Sequence, residues 1–166
     1  MISVYLLDDH ALVRTGYRMI LQQQLDITVV GESDSGEEAL PKIRTLKPDV
    51  ILCDLHMPGL SGLEITERLQ KSSSSSKVII VSVQLDGPMP KRLLDAGASG
   101  YLGKACEADE LIRAIRDVAR GKRYLASELA QKMALEKHAE SPFDRLSARE
   151  VEVSRLFCQG WRAEEI

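Results

Sequence analysis

The sequence predicts an α/β fold in which five parallel strands form a sheet with helices on both faces. Three observations lead to this prediction. Short apolar runs alternate with segments of helical spacing over residues 1–120. The runs are continuous rather than alternating, as expected of strands that are buried on both faces. The intervals between them are long enough for the helical crossovers that parallel strands require.

The predicted strands recur throughout this region and are separated by segments of helical character. After the first strand, for example, Leu12, Val13, Ile20 and Leu21 recur at helical spacing. Five such strand–helix units indicate an open, doubly wound sheet of the flavodoxin-like kind. The five strands are Ile2–Leu7, Ile27–Val30, Asp49–Cys53, Lys77–Val81 and Ser99–Leu102.

Prolines mark two irregular places in the predicted helices. Pro41 lies inside the second helical pattern, past its first turn, where it removes a backbone hydrogen bond. The second helix therefore either starts late or is kinked. Pro88 and Pro90 follow the fourth strand. Proline is tolerated at the opening of a helix, so we expect the fourth helix to begin near Pro90.

The character of the chain changes after Gly121. Ser127 can cap a helix over Glu128–Lys137, and a break follows. Ser147 and Glu150 then form a capping box that opens another, apolar helix. Because the sequence ends at residue 166, this all-α segment is too short to bury its own apolar face, and we expect an incomplete domain. The predicted division is therefore residues 1–121, a linker with a helix over 122–141, and the start of a second domain over 142–166.

Composition limits the classes of protein that the chain can represent. Its net charge of −3, with 44% hydrophobic residues, does not indicate a nucleic-acid-binding surface over the whole chain. Its three cysteines show no metal-ligand spacing and are expected to be reduced. The N-terminus enters a strand without a signal peptide, and no apolar stretch is long enough to span a bilayer. We therefore expect a cytoplasmic protein with no membrane partner.

Polar side chains follow several predicted strands at the point where each strand ends. Asp8 and Asp9 close the first strand, Asp54 the third and Ser82 the fourth, and Lys104 follows the fifth. The carboxyl ends of parallel strands meet at one edge of the sheet, where α/β proteins bind their ligands. We therefore expect these side chains to converge on one crevice.

The expected crevice favours phosphoryl chemistry. Three carboxylates repel one another unless a cation lies among them, and Mg²⁺ prefers oxygen ligands of this kind. The Lys104 ammonium adds a second positive charge, so a phosphate-like group can be held against Asp54. A carboxylate can act as a nucleophile and form an aspartyl phosphate, and phosphoryl transfer depends mainly on positioning and charge neutralisation.

At these residues the chain resembles the receiver domain of two-component response regulators, whose fold is CheY-like. The region from Pro142 to Glu150 resembles the opening of a LuxR-type helix-turn-helix domain. The whole chain is similar to the NarL/FixJ family, and within it to the GacA/UvrY group. The stretches that carry the receiver resemblance are Leu7–His10, Asp54–Gly62 and Ala96–Lys104.

The resemblance implies a role for each of the candidate residues. Asp54 would accept phosphate from a phosphohistidine on a sensor histidine kinase, and Lys104 would contact that phosphate. Ser82 would be the hydroxyl that moves to bind the phosphate, and Tyr101 the aromatic switch residue that changes rotamer with it. The Mg²⁺ ligands would be Asp9, Asp54 and the backbone carbonyl of His56, with Asp8 acting mainly through water.

The resemblance also implies an output. Phosphorylation would bias dimerisation or release the DNA-binding domain, and so control transcription in the complete protein. A helix-turn-helix that stops at residue 166 lacks its recognition helix, so this chain alone is not expected to read DNA bases.

Three alternative functions remain open from the residues. A receiver can act by protein contacts alone. A dehalogenase-type phosphatase also uses an aspartate nucleophile with Mg²⁺, but it normally carries a second aspartate where His56 stands. A flavodoxin-like nucleotide or flavin binder needs a phosphate-binding loop after the first strand, which is acidic and glycine-free here.

Neither His10 nor His56 has cysteine or histidine neighbours at zinc spacing, which argues against a transition-metal site. His10, which follows the acid pair, could either tune the crevice or start the first helix, and the structural role is favoured. The His56 side chain is expected to point to solvent.

Overall fold

The computed structural model describes residues 1–83, 85–126 and 129–135. The chain divides after residue 127 into two units, and the described part of the second unit, residues 129–135, is helical. The first unit alternates strands and helices, as predicted. Its strands are β1 (Ile2–Leu7), β2 (Ile27–Ser33), β3 (Val50–Asp54), β4 (Lys77–Ser82), β5 (Gly100–Gly103) and β6 (Tyr124–Leu125). Its helices are α1 (Ala11–Gln22), α2 (Gly36–Leu46), α3 (Gly62–Lys71), α4 (Met89–Asp95) and α5 (Ala108–Ala119).

The strands of the first unit form one parallel sheet in the order β2-β1-β3-β4-β5-β6. From β1 the chain moves to one side to form β2 and then returns past β1 to form β3. The direction of winding therefore reverses between β1 and β3, and this reversal opens a crevice beyond their carboxyl ends. The predicted doubly wound α/β fold is confirmed.

The sequence analysis predicts five strands and does not predict β6. This strand has two residues and lies in the segment 122–141 that was expected to be a linker. Its pairing with β5 continues on both sides, because Tyr124 N donates to Ser99 O at 3.0 Å and Ala126 N donates to Tyr101 O at 3.0 Å. Two residues are too few to show a periodic pattern, so only the tertiary pairing defines this strand.

The sheet is buried on both faces, in agreement with the continuous apolar runs. Alternate residues of the central strands pack with α5 and with Leu21 of α1 on one face. The intervening residues point to the other face, since successive side chains in a strand alternate. That face is covered by α2, α3 and α4, which contribute buried residues such as Leu40, Ile65 and Leu93.

The two helices that contain prolines, α2 and α4, are each continuous. Of the two alternatives for α2, a late start is wrong: the helix begins at Gly36, where Ser35 Oγ accepts a hydrogen bond from Glu38 N at 3.3 Å, and it continues through Pro41. Burial of Ala39, Leu40 and Ile43 against the sheet supports the helix on both sides of the proline. The fourth helix, α4, begins at Met89 with Pro90 as its second residue, as predicted.

Candidate functional site

The crevice between β1 and β3 collects the predicted carboxylates. Asp8 and Asp9 come directly after β1, Asp54 is the last residue of β3, and Lys104 comes directly after β5. Asp8 is 2% exposed and Asp54 is 4% exposed. The structure therefore brings together four side chains that are separated by up to 96 positions in the sequence (104 minus 8).

The loop after β3 holds Asp54 by close backbone packing. Gly62, the first residue of α3, donates its N–H to Leu55 O at 2.9 Å. A Cβ at Gly62 would lie 2.7 Å from the Asp54 carbonyl oxygen, so only glycine fits there without a shift. Glu37 of α2 supports the middle of the same loop by accepting a hydrogen bond from Leu60 N at 3.1 Å. Gly59, which has a φ of +79°, allows the turn at this point.

Arg14 of α1 holds the backbone on the other side of the crevice. Its guanidinium donates one short hydrogen bond to the carbonyl oxygen of Asp8. The same group donates to Glu32 Oε1 at 3.3 Å, and Arg18 donates a short hydrogen bond to Glu32 Oε2. Burial acts to raise the pKa of Glu32, but the hydrogen bonds from Arg18 and Arg14 outweigh burial, and the pKa is lowered. The two guanidinium groups and one carboxylate leave one positive charge (+2 − 1 = +1), and Arg14 fixes the position from which Asp8 projects.

Lys104 neutralises part of the negative charge in the crevice. Its Nζ lies 3.1 Å from Asp54 Oδ2 and 3.6 Å from Asp8 Oδ2. Burial raises the pKa of Asp54, the charge of Asp8 adds to the rise, and Lys104 opposes both. Burial acts to lower the pKa of Lys104, but the attraction of Asp54 and Asp8 is stronger and the pKa is raised. Lys104 is therefore held as an ammonium beside the carboxyl group of Asp54.

His10 joins the carboxylates, which is the less favoured of the two alternatives that the sequence leaves open for it. Its ring Nδ1 lies 3.0 Å from Asp8 Oδ1, 3.1 Å from Asp9 Oδ1 and 4.0 Å from Asp54 Oδ2. His10 is the N-cap residue of α1, so the expected place at the start of the helix is observed as well. Its backbone N–H donates to Asp8 Oδ1 at 2.8 Å, and this turn returns the ring over the acids. A histidine directly after two aspartates is the only sequence signal for this arrangement.

The donor atoms in the crevice fit a divalent cation. One donor atom each from Asp8, Asp9, His10 and Asp54 lies within 4.8 Å of all the others. Among the described residues, Asp8 Oδ2, Asp9 Oδ1 and Asp54 Oδ2 are buried without a hydrogen-bond donor of good geometry. Three carboxylates against one ammonium leave two negative charges (−3 + 1 = −2). Burying such charge is costly unless a cation compensates it, and carboxylate oxygens are the ligands that Mg²⁺ prefers.

The remaining predicted residues lie at or next to the crevice. Ser82 is the last residue of β4 and is 1% exposed, and its carbonyl accepts a hydrogen bond from Lys104 N at 2.9 Å. Tyr101 is fully buried in β5, and burial raises the pKa of its hydroxyl while a hydrogen bond with Ser82 lowers it. The His56 side chain is exposed, as expected, and its backbone N–H points to Asp54 Oδ1 at 3.4 Å. The predicted capping box at Ser147 and Glu150 lies outside the described residues.

Within the described ranges, none of the helices has the length and apolar character needed to cross a bilayer.

The chain is similar in sequence to known response regulators. The family model of the response regulator receiver domain matches residues 4–116. The chain is 44% identical over 170 residues to the response regulator UvrY of Escherichia coli, covering 100% of this chain and 78% of UvrY. It is 42% identical over 170 residues to the response regulator GacA of Pseudomonas aeruginosa, covering 100% of this chain and 79% of GacA.

A solved structure of a response regulator has a similar fold. The two-component response regulator of the LuxR family from Aurantimonas sp. matches with a TM-score of 0.78 and 31% identity, over 81% of this chain and 96% of that chain. Receiver domains generally bind Mg²⁺ at an aspartate cluster, and Asp8, Asp9, His10 and Asp54 form such a cluster in this chain.

Proposed function

Because the chain belongs to the response regulator receiver family, with relatives of the UvrY and GacA type, we propose that Asp54 is its phosphoacceptor. One observation supports this assignment above the others. Asp54 is the carboxylate that contacts Lys104 most closely, at 3.1 Å, while its own Oδ2 also faces the group of donor atoms from Asp8, Asp9 and His10. A phosphoryl group on Asp54 would therefore be formed between the Lys104 ammonium and a cation bound at these donor atoms.

The proposed phosphodonor is the phosphohistidine of a sensor histidine kinase, as a receiver domain implies. In the transfer, a carboxylate oxygen of Asp54 bonds to phosphorus while the phosphorus–nitrogen bond of the donor breaks. The electron pair of that bond returns to the imidazole of the donor, which takes a proton from water. The Lys104 ammonium stabilises the negative charge on the phosphoryl oxygens, since such transfers depend on positioning and electrostatics.

The proposed cofactor is Mg²⁺, which supplies charge neutralisation for the phosphoryl oxygens when it is bound. Its protein ligands in this proposal are the carboxylates of Asp9 and Asp54 and the backbone carbonyl of His56. Asp8, whose Oδ1 already accepts the N–H of His10, acts through water. The buried carboxylate oxygens of the crevice, whose charge Lys104 balances only in part, support this assignment.

The proposed switch residues are Ser82 and Tyr101. Their side chains are hydrogen-bonded to each other, and the backbone of Ser82 is bonded to Lys104, which contacts Asp54. A phosphoryl group carries nearly two negative charges and three acceptor oxygens, and can attract the Ser82 hydroxyl toward Asp54. Tyr101 would follow, and the equilibrium between two conformations would shift by the difference in these contacts.

The output of the switch is proposed from the family. In a protein that carries the complete LuxR-type domain, phosphorylation of residues 1–121 would control dimerisation and DNA binding by the domain that begins at residue 142. The segment 122–141 would act as the linker between them. The protein would act in the cytoplasm as a regulator of transcription and would not turn over an external substrate.

The assignment of Asp54 is tested by incubating the protein with acetyl phosphate and MgCl₂ and measuring the intact mass. We expect one phosphoryl group per chain that is stable in acid and labile in base. Asp54→Asn should abolish this adduct, and Asp95→Asn, which changes an aspartate at the end of α4, should retain it. An adduct that persists in Asp54→Asn would overturn the assignment.

The same reaction separates the alternative functions. Continuous release of phosphate from added phosphate esters would favour a phosphatase. For the output, binding of the complete protein to its operator is measured with and without phosphorylation. Equal affinity and equal oligomeric state in both conditions would favour a receiver that acts by other protein contacts.

A further inference from the structure

We propose that His10 supplies a nitrogen ligand to the divalent cation at the aspartate cluster, so that the site favours a transition-metal ion such as Co²⁺ over Mg²⁺. This inference rests on the proposed metal site but not on phosphoryl transfer to Asp54. It changes the donor set of the site from oxygen alone to oxygen and one imidazole nitrogen. It concerns the selectivity of the site for different ions.

The distances around His10 are those of ligands that share one ion. Two donors on adjacent positions of an octahedral ion with bonds of about 2.1 Å lie about 3.0 Å apart, and donors on opposite positions lie about 4.2 Å apart. His10 Nδ1 lies 3.0 Å from Asp8 Oδ1 and 3.1 Å from Asp9 Oδ1. It lies 4.0 Å from Asp54 Oδ2. In the metal-free protein His10 Nδ1 shares a hydrogen bond with Asp8 Oδ1, which an ion would replace. The distances from Nδ1 to Asp9 and Asp54 are already those of ligands on one ion.

The carboxylates near His10 have oxygen atoms that could still bind an ion. The side chains of Asp8 and Asp54 are each 3% exposed. Within the described part of the chain, Asp8 Oδ2 and Asp54 Oδ2 accept no hydrogen bond of good geometry, and Lys104 Nζ lies 3.6 Å and 3.1 Å from them. A single ammonium does not balance the charge of three carboxylates, so an ion at this point would compensate the remaining negative charge.

The backbone places the ring there and limits its freedom. His10 precedes the first residue of α1, and its N–H is bonded to Asp8 Oδ1 at 2.8 Å. The imidazole is 61% exposed, so an ion can reach it from solvent without unfolding the crevice. His56, by contrast, contacts Asp54 through its backbone N–H. Of these two histidines, His10 is therefore the one whose ring is assigned to the site.

The nitrogen atom that His10 supplies determines which ions bind more tightly. Mg²⁺ prefers oxygen ligands and gains little from an imidazole. Imidazole suits zinc, copper, iron and nickel, and affinity for mixed nitrogen and oxygen sites rises from Mn²⁺ through Co²⁺ to Cu²⁺. The expectation from sequence that no transition metal binds was based on missing cysteine and histidine partners. The fold supplies carboxylate partners instead.

Calorimetric titration of the metal-free protein with CoCl₂ and with MgCl₂ tests this proposal. His10→Asn removes the imidazole without removing a capping hydrogen bond, because the His10 side chain makes none to α1. We expect this variant to lose Co²⁺ affinity about tenfold, or about 1.4 kcal/mol, with Mg²⁺ affinity within about twofold of the wild type. His138→Asn, a substitution outside the described residues, controls for adventitious binding by a histidine and should change neither affinity.

The absorption spectrum of the Co²⁺ complex gives a second readout. A nitrogen ligand changes the visible bands of the ion, so the spectrum of His10→Asn should differ from that of the wild type. Equal affinity and an unchanged spectrum would mean that His10 is only a hydrogen-bond partner of Asp8. An equal loss of Co²⁺ and Mg²⁺ affinity, or a lower melting temperature of the metal-free variant, would assign His10 a structural role. Either result overturns the proposal.

The phosphorylation assay separates this inference from the proposed function. With acetyl phosphate and MgCl₂, the wild type should form the Asp54 adduct. If the adduct forms and the Co²⁺ titrations of the wild type and His10→Asn are identical, the metal inference fails and the phosphoacceptor assignment stands. If no adduct forms while Co²⁺ affinity differs as expected, the phosphoacceptor assignment fails and the metal inference stands.

Discussion

The Nζ atom of Lys104 lies 3.1 Å from Oδ2 of Asp54, which joins the end of β3 to the residue that follows β5. The two residues are 50 positions apart (104 minus 54) and belong to strands that are separated in the sheet by β4. The lysine spans the carboxyl end of β4 to reach its partner. Its removal should therefore affect both the charge balance and the stability of the crevice.

Replacing Lys104 with methionine should destabilise the metal-free protein. The substitution keeps the aliphatic length but leaves Asp8 and Asp54 without their ammonium. Breaking a fully buried ion pair costs about 3–5 kcal/mol, and because Lys104 is partly exposed we expect on the order of 2 kcal/mol. Urea unfolding measures the change. Adding Asp54→Asn to Lys104→Met should recover much of the loss, and the absence of any recovery would show that the cost is not electrostatic.

Gly62→Ala should destabilise the protein because of the close approach of α3 to β3. The new Cβ would lie 2.7 Å from the Asp54 carbonyl oxygen and 3.0 Å from Leu55 Cα, both backbone atoms. We expect a loss of about 1–3 kcal/mol, as for other overpacked sites. Gly16→Ala in α1 is the matched control, since nothing lies within 4 Å of its added Cβ. There the change should stabilise the helix by about 0.5–1 kcal/mol, and both effects are measured by thermal or urea unfolding.

Arg14→Gln and Arg18→Gln should differ in their effect on the site. Both lose a hydrogen bond to Glu32, but only Arg14 also holds the carbonyl of Asp8. Each variant should lose about 1 kcal/mol of stability. Only Arg14→Gln should also slow adduct formation with acetyl phosphate, by an expected three- to tenfold, about 0.7–1.4 kcal/mol at the site. Equal phosphorylation rates in the two variants would show that the Asp8 carbonyl needs no support from Arg14.

The pH dependence of unfolding should reveal the Glu32 cluster. The pKa of Glu32 is lowered from 4.5 in the folded state, so its contribution is present above pH 4.5 and is lost as the pH falls through the folded pKa. The wild type should therefore lose more stability than Glu32→Gln below pH 4.5. Because the side chains of Glu32 and Arg18 are each about a third exposed, we expect a difference of roughly 0.5–1 kcal/mol that decreases with added salt.

A flat difference between the two proteins from neutral to acid pH would contradict this assignment. Urea midpoints at low and high ionic strength give the measurement. Glu38→Gln provides the control, because its partner Lys42 is one helical turn away on the exposed face of α2 and is screened by solvent. That variant should change little at any pH.

The fold could be predicted because its strongest signal is local in sequence. Continuous runs such as Val78, Ile79 and Ile80 are buried on both faces in the structure, so burial and periodicity agree. The boundaries are less accurate, since β2 continues to Ser33 and β4 to Ser82, where polar residues end the strands. Tertiary pairing and packing, which no local pattern reports, decide β6 and the passage of α2 through Pro41.

The site could be predicted as far as topology alone determines it. The carboxyl ends of parallel strands meet at one edge, and this rule is enough to place Asp8, Asp54 and Lys104 near one another. It says nothing about side chains that turn back from a helix start. His10 reaches the acids through a turn in which both its backbone N–H and its ring contact Asp8, and this depends on the conformation of the turn. The supporting roles of Arg14 and Glu37 cannot be predicted from the sequence either, because each contacts a backbone group of the crevice.

The short strand β6 has a mechanical consequence. Ala126 N is bonded to the carbonyl of Tyr101, and the second unit begins at residue 128. A displacement of the β5 backbone at Tyr101 would therefore also move Ala126, the last described residue of the first unit, without the rotation of a whole helix.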